Sequence, residues 1–351
     1  MPTSRRRPTV KDVAAEAGVG AMTVSYTFNR PERVAETTRA KVLAAAERLG
    51  YRPDSTARAL RSGRTGQIGV VLGEHLSYAF DDPQATTFLA GVADVCVEEG
   101  MGMVLIPTHG DASDTDRVLA AAVDAYVLWT TTDDDPVLDS VARSGRPASI
   151  QGGPESAGIT RIGQDERAAA RALAGTALDH GSFPVVISFP LDKRRIPAIT
   201  DGGALSDRPV AFPVTRARLA GYADAVTSTG RDWGTTPVAV VGRNRRAEAD
   251  TAMRDLLQRV PLGASPVVLA MSDELALGAR SALDHLGRTA LLAGWDASAE
   301  ALSAQIITVT NPLREQGRLC ARAALHPGAS VEPVPWRILG PGDARPTHRT
   351  S

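Results

Sequence analysis

The sequence predicts an α/β protein in which a small helical module precedes a larger body built on parallel β-sheets. Apolar residues recur at helical spacing over residues 1–50, whereas buried-strand runs alternate with Ala-rich amphipathic segments over residues 66–351. Repeated βα units favour a parallel sheet that is covered by helices on both faces. The 351 residues, 43% of them apolar, are enough for two or three domains with substantial cores.

The charge distribution separates the same two parts. Residues 1–65 hold 13 Lys and Arg against 6 Asp and Glu, whereas residues 66–351 hold 26 against 34, although the whole chain has a net charge of only −1. A basic module ahead of an acidic body is the distribution expected of a nucleic-acid-binding head on a separate soluble body.

Several classes of protein are disfavoured. No apolar run approaches the ~18 residues of a membrane span, and no apolar segment of a secretion signal follows the basic N-terminus. Cys96 and Cys320 lie far apart and form no CxxC pair, and the six histidines lack metal-ligand spacing. We therefore expect a cytoplasmic protein without membrane contact, metal or cofactor.

The first helix is predicted by an apolar stripe and by signals at both of its ends. The stripe at i, i+3, i+4 and i+7 consists of Val10, Val13, Ala14 and Ala17. Thr9 precedes it as an N-cap, and Gly18 ends it.

The second helix begins at Ala21, after the turn Gly18-Val19-Gly20. Its predicted inward residues are Ala21, Val24 and Phe28, and the residues predicted to face away are Met22, Ser25, Tyr26 and Asn29. Two short helices joined by a glycine turn make a helix-turn-helix.

A third helix is predicted from Ala35 to Leu49, with Val42, Ala46 and Leu49 buried and Gly50 at its end. Asp54 then caps a short helix over 55–61, which is too short to be stable alone because helices under ~12 residues are marginal in water.

The segment from Val10 to Val71 resembles the LacI/GalR family of bacterial transcription regulators. The motifs that carry the resemblance keep their order and spacing: DVA at 12–14, AGV at 17–19, TVS at 23–25, Asn29, Thr38-Arg39, LGYRP at 49–53 and ARAL at 57–60. The resemblance implies a headpiece at 1–50, a hinge helix with linker at 51–65, double-stranded operator DNA as partner, and a homodimer.

The resemblance also implies which residues touch DNA, since the second helix of such a headpiece enters the major groove. Ala21, Met22 and Tyr26 match the base-reading positions. The positions that contact DNA phosphates in the family are matched by Thr9, Thr23, Ser25 and Asn29. On the hinge helix, Ala57 and Leu60 match DNA contacts, and Leu60 matches the wedge that the family drives into a base step from the minor groove.

Some residues depart from the family pattern. Ala21 and Met22 cannot form bidentate hydrogen bonds, so we expect apolar contact with thymine methyl groups, and Tyr26 replaces the usual Arg or His. Gly20 and Ala35 each stand where the family usually has Ser, and Asp54 stands where it usually has Asn. Loss of two hydroxyls and gain of a carboxylate near DNA predict a modest affinity.

Seven strands are predicted in the body: 67–72, 102–107, 125–129, 184–189, 238–241, 266–270 and 289–293. The resemblance arranges them in two lobes of the periplasmic-binding-protein type, with chain crossings near Gly163, Asp296 and His326. It implies an N-terminal lobe of 66–163 and 297–326 and a C-terminal lobe of 164–296 and 327–351, which together form an effector domain.

The cleft between such lobes is the expected effector site, because open α/β sheets bind ligands at the carboxyl ends of their strands. Arg218 matches the family's effector-contacting arginine, and Asp273 and Asp296 each follow a predicted strand, although Asp273 could equally cap the helix that it opens. One Arg opposite two Asp suits a sugar, polyol or nucleoside, for which Trp295 or Phe80 would supply an aromatic platform.

Two other functions were weighed. An α/β enzyme lacks support, since the chain has no GxGxxG after its first strand, no GxxxxGK and no GxSxG. A purely extracytoplasmic binding protein would need a signal peptide and no headpiece. The expected function is a sequence-specific DNA-binding regulator, a repressor whose operator affinity is controlled by a small molecule.

Overall fold

The computed structural model describes residues 8–52, 63–73, 76–109, 111–178, 183–328 and 331–343. It divides into two compact units, Met1–Thr65 and Gly66–Ser351, each described here by itself.

The described residues of the first unit form three α-helices, Val10–Ala17 (α1), Ala21–Asn29 (α2) and Glu36–Leu49 (α3), with a 3-10 turn at Pro31–Arg33. Thr9 caps α1 in a reciprocal capping box with Asp12, as the sequence predicts. Left-handed glycines end α1 and α3, Gly18 at φ 67° and Gly50 at φ 66°. The predicted N-cap of α1 and the predicted glycine ends of α1 and α3 are confirmed, and α3 begins at Glu36, one residue after the predicted start.

The core of this unit consists of Val13, Ala14, Val24, Val42, Ala45 and Ala46. Ala21 was expected to face inward but is exposed, because it starts α2 before the helix reaches the core. Thr27 is buried instead, and its hydroxyl donates to the Thr23 carbonyl at 2.9 Å, which satisfies the polar atom. Leu49 is only half-buried. The predicted hinge helix with Asp54, Ala57 and Leu60 lies outside the described residues.

A five-stranded parallel sheet forms the first lobe of the second unit, in the order β2-β1-β3-β4-β5. Its strands are Gln67–Leu72 (β1), Gly102–Pro107 (β2), Ala125–Trp129 (β3), Ala148–Gln151 (β4) and Ile159–Ile162 (β5). The helices between these strands are Leu76–Asp81 (α4), Pro83–Glu98 (α5), Ser113–Ala120 (α6) and Pro136–Arg143 (α7).

A seven-stranded sheet forms the second lobe, in the order β12-β11-β10-β9-β6-β8-β7, with β7 and β12 as antiparallel edges. Its strands are Phe183–Ser188 (β6), Ala198–Asp201 (β7), Pro237–Val240 (β8), Pro266–Ala270 (β9), Leu291–Asp296 (β10), Ile307–Thr310 (β11) and Ile338–Leu339 (β12). Its helices are Glu166–Leu178 (α8), Gly202–Ser206 (α9), Pro213–Ser228 (α10), Arg246–Leu257 (α11), Asp273–His285 (α12) and Ala299–Ser303 (α13), with a 3-10 turn at Trp233–Thr235.

One further helix, Leu313–Leu325 (α14), returns to the first lobe and packs against α5 and strands β3 to β5. The two helices touch backbone to backbone. A Cβ at Gly91 would lie 1.9 Å from the Arg314 carbonyl oxygen, and one at Gly317 would lie 2.2 Å from that of Phe88. Only glycine permits this approach at either position.

The chain crosses between the lobes three times, at places that partly differ from those expected. The first crossing follows Ile162, as expected near Gly163. The second was expected near Asp296 but follows Thr310, because β11 continues the ladder beside β10 and thereby buries Ile307 and Val309. The expected N-terminal lobe segment 297–326 is therefore wrong for residues 297–310.

The third crossing was expected near His326 but comes after Val334. This residue is still packed in the first lobe, while Trp336 packs against the second, because the segment after α14 continues along the first-lobe core. The Val334 amide donates to the Gly163 carbonyl at 2.9 Å, so the first and third crossings lie side by side.

No helix of the described residues is long and apolar enough to cross a membrane. The same residues contain no group of three or more His, Cys, Asp or Glu that could hold a metal ion.

Candidate DNA-binding surface and effector cleft

Helix α2 presents a mixed, uncharged face to solvent. Met22 is 66% exposed, and Ala21 and Asn29 are also exposed. Thr23, Ser25 and Tyr26 are half-buried. The six residues assigned to DNA on this helix therefore all keep an accessible surface, and their contacts with DNA remain a prediction.

Two of the predicted phosphate contacts already have partners within the headpiece. The Asn29 side-chain nitrogen donates to the Ser25 carbonyl at 2.8 Å, which fixes its amide at the end of α2. The Thr9 hydroxyl donates to Asp12 Oδ2 at 2.8 Å, so its proton serves the helix cap. Thr9 is thus explained by capping without any contribution from DNA.

A cleft lies between the two lobes of the second unit. The carboxyl ends of strands from both sheets surround it, which is where open α/β sheets bind ligands. Its polar lining comes from both lobes and consists of Asp82, Gln84, Thr130, Thr131, Gln151, Glu166, Arg195, Thr215, Arg218, Asn244 and Asn311. Its aromatic lining consists of Trp129, Phe189 and Phe212.

Arg218 lies on the wall of this cleft, where α10 places it, and only 3% of its surface is exposed. Its Nε donates to Glu166 Oε2 at 2.7 Å, and its Nη1 donates to the carbonyl of Met271. The guanidinium carbon lies 3.7 Å from the ring centre of Trp295 and 5.6 Å from that of Phe189. Two aromatic rings, a carboxylate and a carbonyl therefore hold the guanidinium in place.

Asp273 has a different position from the one expected, since it does not line the cleft. It is the first residue of α12, and its oxygens accept from the Ser298 amide and the Thr308 hydroxyl, both at 2.7 Å. Burial raises the pKa of its carboxyl to about 6. Asp273 joins α12 to the loop after β10 and to β11, within the second lobe.

Asp296 ends β10 with a φ of 115°, a conformation that non-glycine residues rarely adopt. Its Oδ1 accepts from Asn311 Nδ2 at 3.0 Å, and its Oδ2 accepts from Gln84 Nε2 of the first lobe. Burial, reinforced by the neighbouring Asp273 charge, raises the pKa of Asp296 well above its usual value. Asp296 is not itself in the lining, but it holds two side chains that are.

The expected aromatic platform is wrong. Trp295 is fully buried beneath Arg218, and Phe80 is 62% exposed outside the cleft lining. The cleft uses Trp129, Phe189 and Phe212 instead. Trp129 ends β3 and Phe189 follows β6, so the rule that ligands bind at strand ends could have found both.

Opposite charges face each other across the cleft rims. Arg216 donates to both oxygens of Asp133, at 2.5 and 3.1 Å, and Lys193 lies 3.1 Å from Asp135. At the other rim, Arg245 pairs with Asp81. In all three pairs the carboxylate belongs to the first lobe and the cation to the second. Asn244, which donates to Asp82 at 3.1 Å, adds an uncharged bridge.

Comparison with known proteins gives a consistent assignment. Residues 9–54 match the family model described as bacterial regulatory proteins, lacI family. The chain is 36% identical over 346 residues to the HTH-type transcriptional regulator Rv3575c of Mycobacterium tuberculosis, covering 95% of this chain and 94% of that protein.

Two solved structures share the fold. One is the complex of the transcriptional regulator CelR with cellobiose, at 25% identity and a TM-score of 0.62, covering 95% of this chain and 98% of CelR. The other is the Lac repressor dimer bound to operator and the anti-inducer ONPF, at 19% identity and a TM-score of 0.76, covering 97% of this chain and 99% of the repressor chain. The relatives are named as regulators and not as enzymes. The chain belongs to the LacI family and is a DNA-binding transcriptional regulator.

Proposed function

We propose that this regulator is a cytoplasmic repressor that binds a pseudo-palindromic operator as a homodimer and is controlled by a small polar metabolite in the cleft. The observation that carries the proposal is the cleft itself, enclosed by both lobes and lined by a fixed arginine, amides, hydroxyls and aromatic rings.

On the DNA side, α2 enters the major groove with Ala21, Met22 and Tyr26 toward base edges. Thr23, Ser25 and Asn29 contact phosphates beside them. Ala57 and Leu60 contact the minor groove from the hinge segment. One head of this size makes few contacts, so a symmetric dimer that doubles them is needed for specific binding.

On the effector side, the ligand is of the sugar, polyol or nucleoside class. The Thr131 hydroxyl supports a hydroxyl-bearing ligand, because it is buried in the cleft lining and has no hydrogen-bond partner in the described part of the chain. The cellobiose bound by CelR also supports this class. Arg218 contacts the ligand directly. Asp296 acts indirectly, by holding Gln84 and Asn311, and Asp273 stabilises the second lobe by joining α12 to β11.

Binding to DNA fragments from the protein's own promoter region tests the DNA side. We expect sedimentation to show two chains per site and the affinity to fall steeply as salt rises, because phosphate contacts release counterions. A tight complex with one chain, or an affinity independent of salt, would overturn the proposed mode of binding.

A thermal-shift screen with neutral sugars, polyols and nucleosides tests the effector side. A ligand at 100 times its dissociation constant adds about 2.7 kcal/mol to the stability of the protein that binds it. If no compound in these classes raises the melting temperature, the assignment of the effector class fails.

A further inference from the structure

The ion pair between Glu166 and Arg218 is buried on the cleft wall, and both residues line the cleft. Each side chain is only 4% exposed. A charge buried to this extent needs a partner, since an isolated ion loses its hydration without compensation. Arg218 therefore faces an incoming ligand with its positive charge already neutralised.

Glu166 is placed by the first crossing between the lobes. It is the first residue of α8, two positions after Gln164. In the amide orientation that satisfies both of its polar atoms, Gln164 donates to the Thr310 carbonyl at 3.3 Å and accepts from Trp295 Nε1 at 3.2 Å. The same turn thus holds Glu166 against one edge of the guanidinium and Trp295 against its face.

The pair still leaves donors and acceptors for a ligand. Arginine has five N–H groups, and the bonds to Glu166 and Met271 use two of those on Arg218. Glu166 Oε1 is an acceptor next to them. A hydroxyl group can accept from an arginine N–H and donate to a carboxylate oxygen, so it matches both partners, whereas an ionised carboxylate can only accept.

The charged residues of the cleft, taken together, also disfavour an anionic ligand. Its ionisable lining consists of Asp82 and Glu166, which are acidic, and Arg195 and Arg218, which are basic. At neutral pH these charges cancel. A phosphate or carboxylate brought against Arg218 would also meet Glu166, and like charges at that separation repel.

We propose that Glu166 sets the charge class of the effector, so that the cleft takes an uncharged polyhydroxyl molecule and rejects phosphate esters and carboxylates. This inference rests on the proposed function of the cleft as the effector site. It adds to that function that the Glu166 carboxylate alone determines whether a neutral or an anionic ligand binds, while Arg218 contacts the ligand.

The substitution Glu166→Gln tests this role, because the amide keeps the shape of the side chain and removes its charge. The probe is inorganic phosphate, added to the full-length protein and compared with chloride at equal ionic strength. We expect phosphate to raise the melting temperature of the variant in a saturable way. In calorimetric titration its dissociation constant should be at least tenfold lower than for the unmodified protein.

Two variants serve as controls. The exposed pair of Arg167 with Asp224 is also an ion pair between an arginine and a carboxylate, but it lies outside the cleft lining, so Asp224→Asn measures the general effect of phosphate on stability. The double variant Glu166→Gln with Arg218→Gln should lose the gained phosphate binding. The proposal would be overturned by an Asp224→Asn variant whose phosphate affinity rises as much as that of Glu166→Gln. It would also be overturned by a double variant that keeps the increased phosphate affinity.

If Glu166→Gln does not fold, the unmodified protein provides the test, with glucose and glucose 6-phosphate as matched neutral and anionic probes. Stabilisation by the phosphate ester alone would overturn the proposal, and stabilisation by glucose alone would support it. If neither binds, titration of the folded Glu166→Asp variant with phosphate decides. Its carboxylate is retained, so tenfold tighter phosphate binding than in the unmodified protein would overturn the proposal, and unchanged binding would support it.

Failure of this inference is distinguishable from failure of the proposed function. A neutral ligand that binds the unmodified protein, combined with no gain of phosphate binding in Glu166→Gln, overturns the role of Glu166 and leaves effector control intact. A gain of phosphate binding in a protein whose operator affinity responds to no ligand supports the role of Glu166 and removes effector control.

Discussion

Asp273 illustrates at the residue scale why a site could be predicted only in part from the sequence. An aspartate directly after a buried strand is suited both to contact a ligand and to start a helix, and its position in the sequence is the same in either case. The structure gives Asp273 the second role, because Thr308 and Ser298 lie within hydrogen-bond distance. Those partners are 25 and 35 residues away in the chain, so no local pattern indicates them.

Glu166 shows that a cleft residue can also be missed when only its partner, Arg218, lies in a recognisable motif. The family motif indicates the arginine, but the carboxylate that pairs with it is 52 residues distant and sits in a segment without a recognisable motif. The Thr131 hydroxyl is likewise recognisable only from its burial without a hydrogen-bond partner among the described residues.

The substitution Asp273→Asn should change the pH dependence of stability. Because the folded-state pKa of Asp273 is raised to about 6 from 3.8, its contribution to stability is fully present below about pH 4 and is lost as the pH rises through about 6. The loss amounts to about 3 kcal/mol at ~1.4 kcal/mol per pKa unit. Urea unfolding between pH 4 and 7 should therefore show a shallower decline in the variant, and an unchanged decline would contradict this account.

At the scale of elements, the amphipathic helices and seven strands were predictable, whereas the short strands β4, β5, β7, β11 and β12, each of two to four residues, were missed. Strands β1, β2, β3 and β9 have the expected bounds, because each is a continuous apolar run. The edge strands β7 and β12 are only four and two residues long and half-buried, so they carry no such run. β11 is also only four residues long and alternates Ile and Val with Thr, so it carries no continuous apolar run.

The rim pairs predict an electrostatic contribution to lobe closure. Arg216→Glu places a carboxylate opposite Asp133, so we expect the lobes to separate, and the reciprocal change Asp133→Arg in the same chain should restore closure. Spin labels on cysteines introduced at the exposed positions Val97 and Leu262, one on each lobe, report the distance between them. Equal distance distributions in the unmodified, single and double variants would show that the rim pair does not hold the lobes.

At the scale of the whole molecule, the protein consists of two units that fold around separate cores, a basic head and an acidic two-lobed body. We propose that α2 of the first unit reads DNA, and the second unit provides a cleft whose walls come from both lobes. Control of one by the other requires the effector to bind two states of the protein with different affinity, since a ligand with equal affinity for both shifts nothing. Such control therefore requires a coupling free energy, which is the change in the free energy of operator binding when the effector occupies the cleft.

The most direct measurement of that coupling is a titration of labelled operator with the protein, by fluorescence anisotropy, with and without a neutral polyol that stabilises it. The account predicts that the polyol changes operator affinity at least fivefold and that saturating operator changes polyol affinity by the same factor, as linkage requires. It also predicts that Arg218→Ala retains operator binding and loses the response. An operator affinity that no stabilising polyol changes, or a response that persists in Arg218→Ala, would contradict the account.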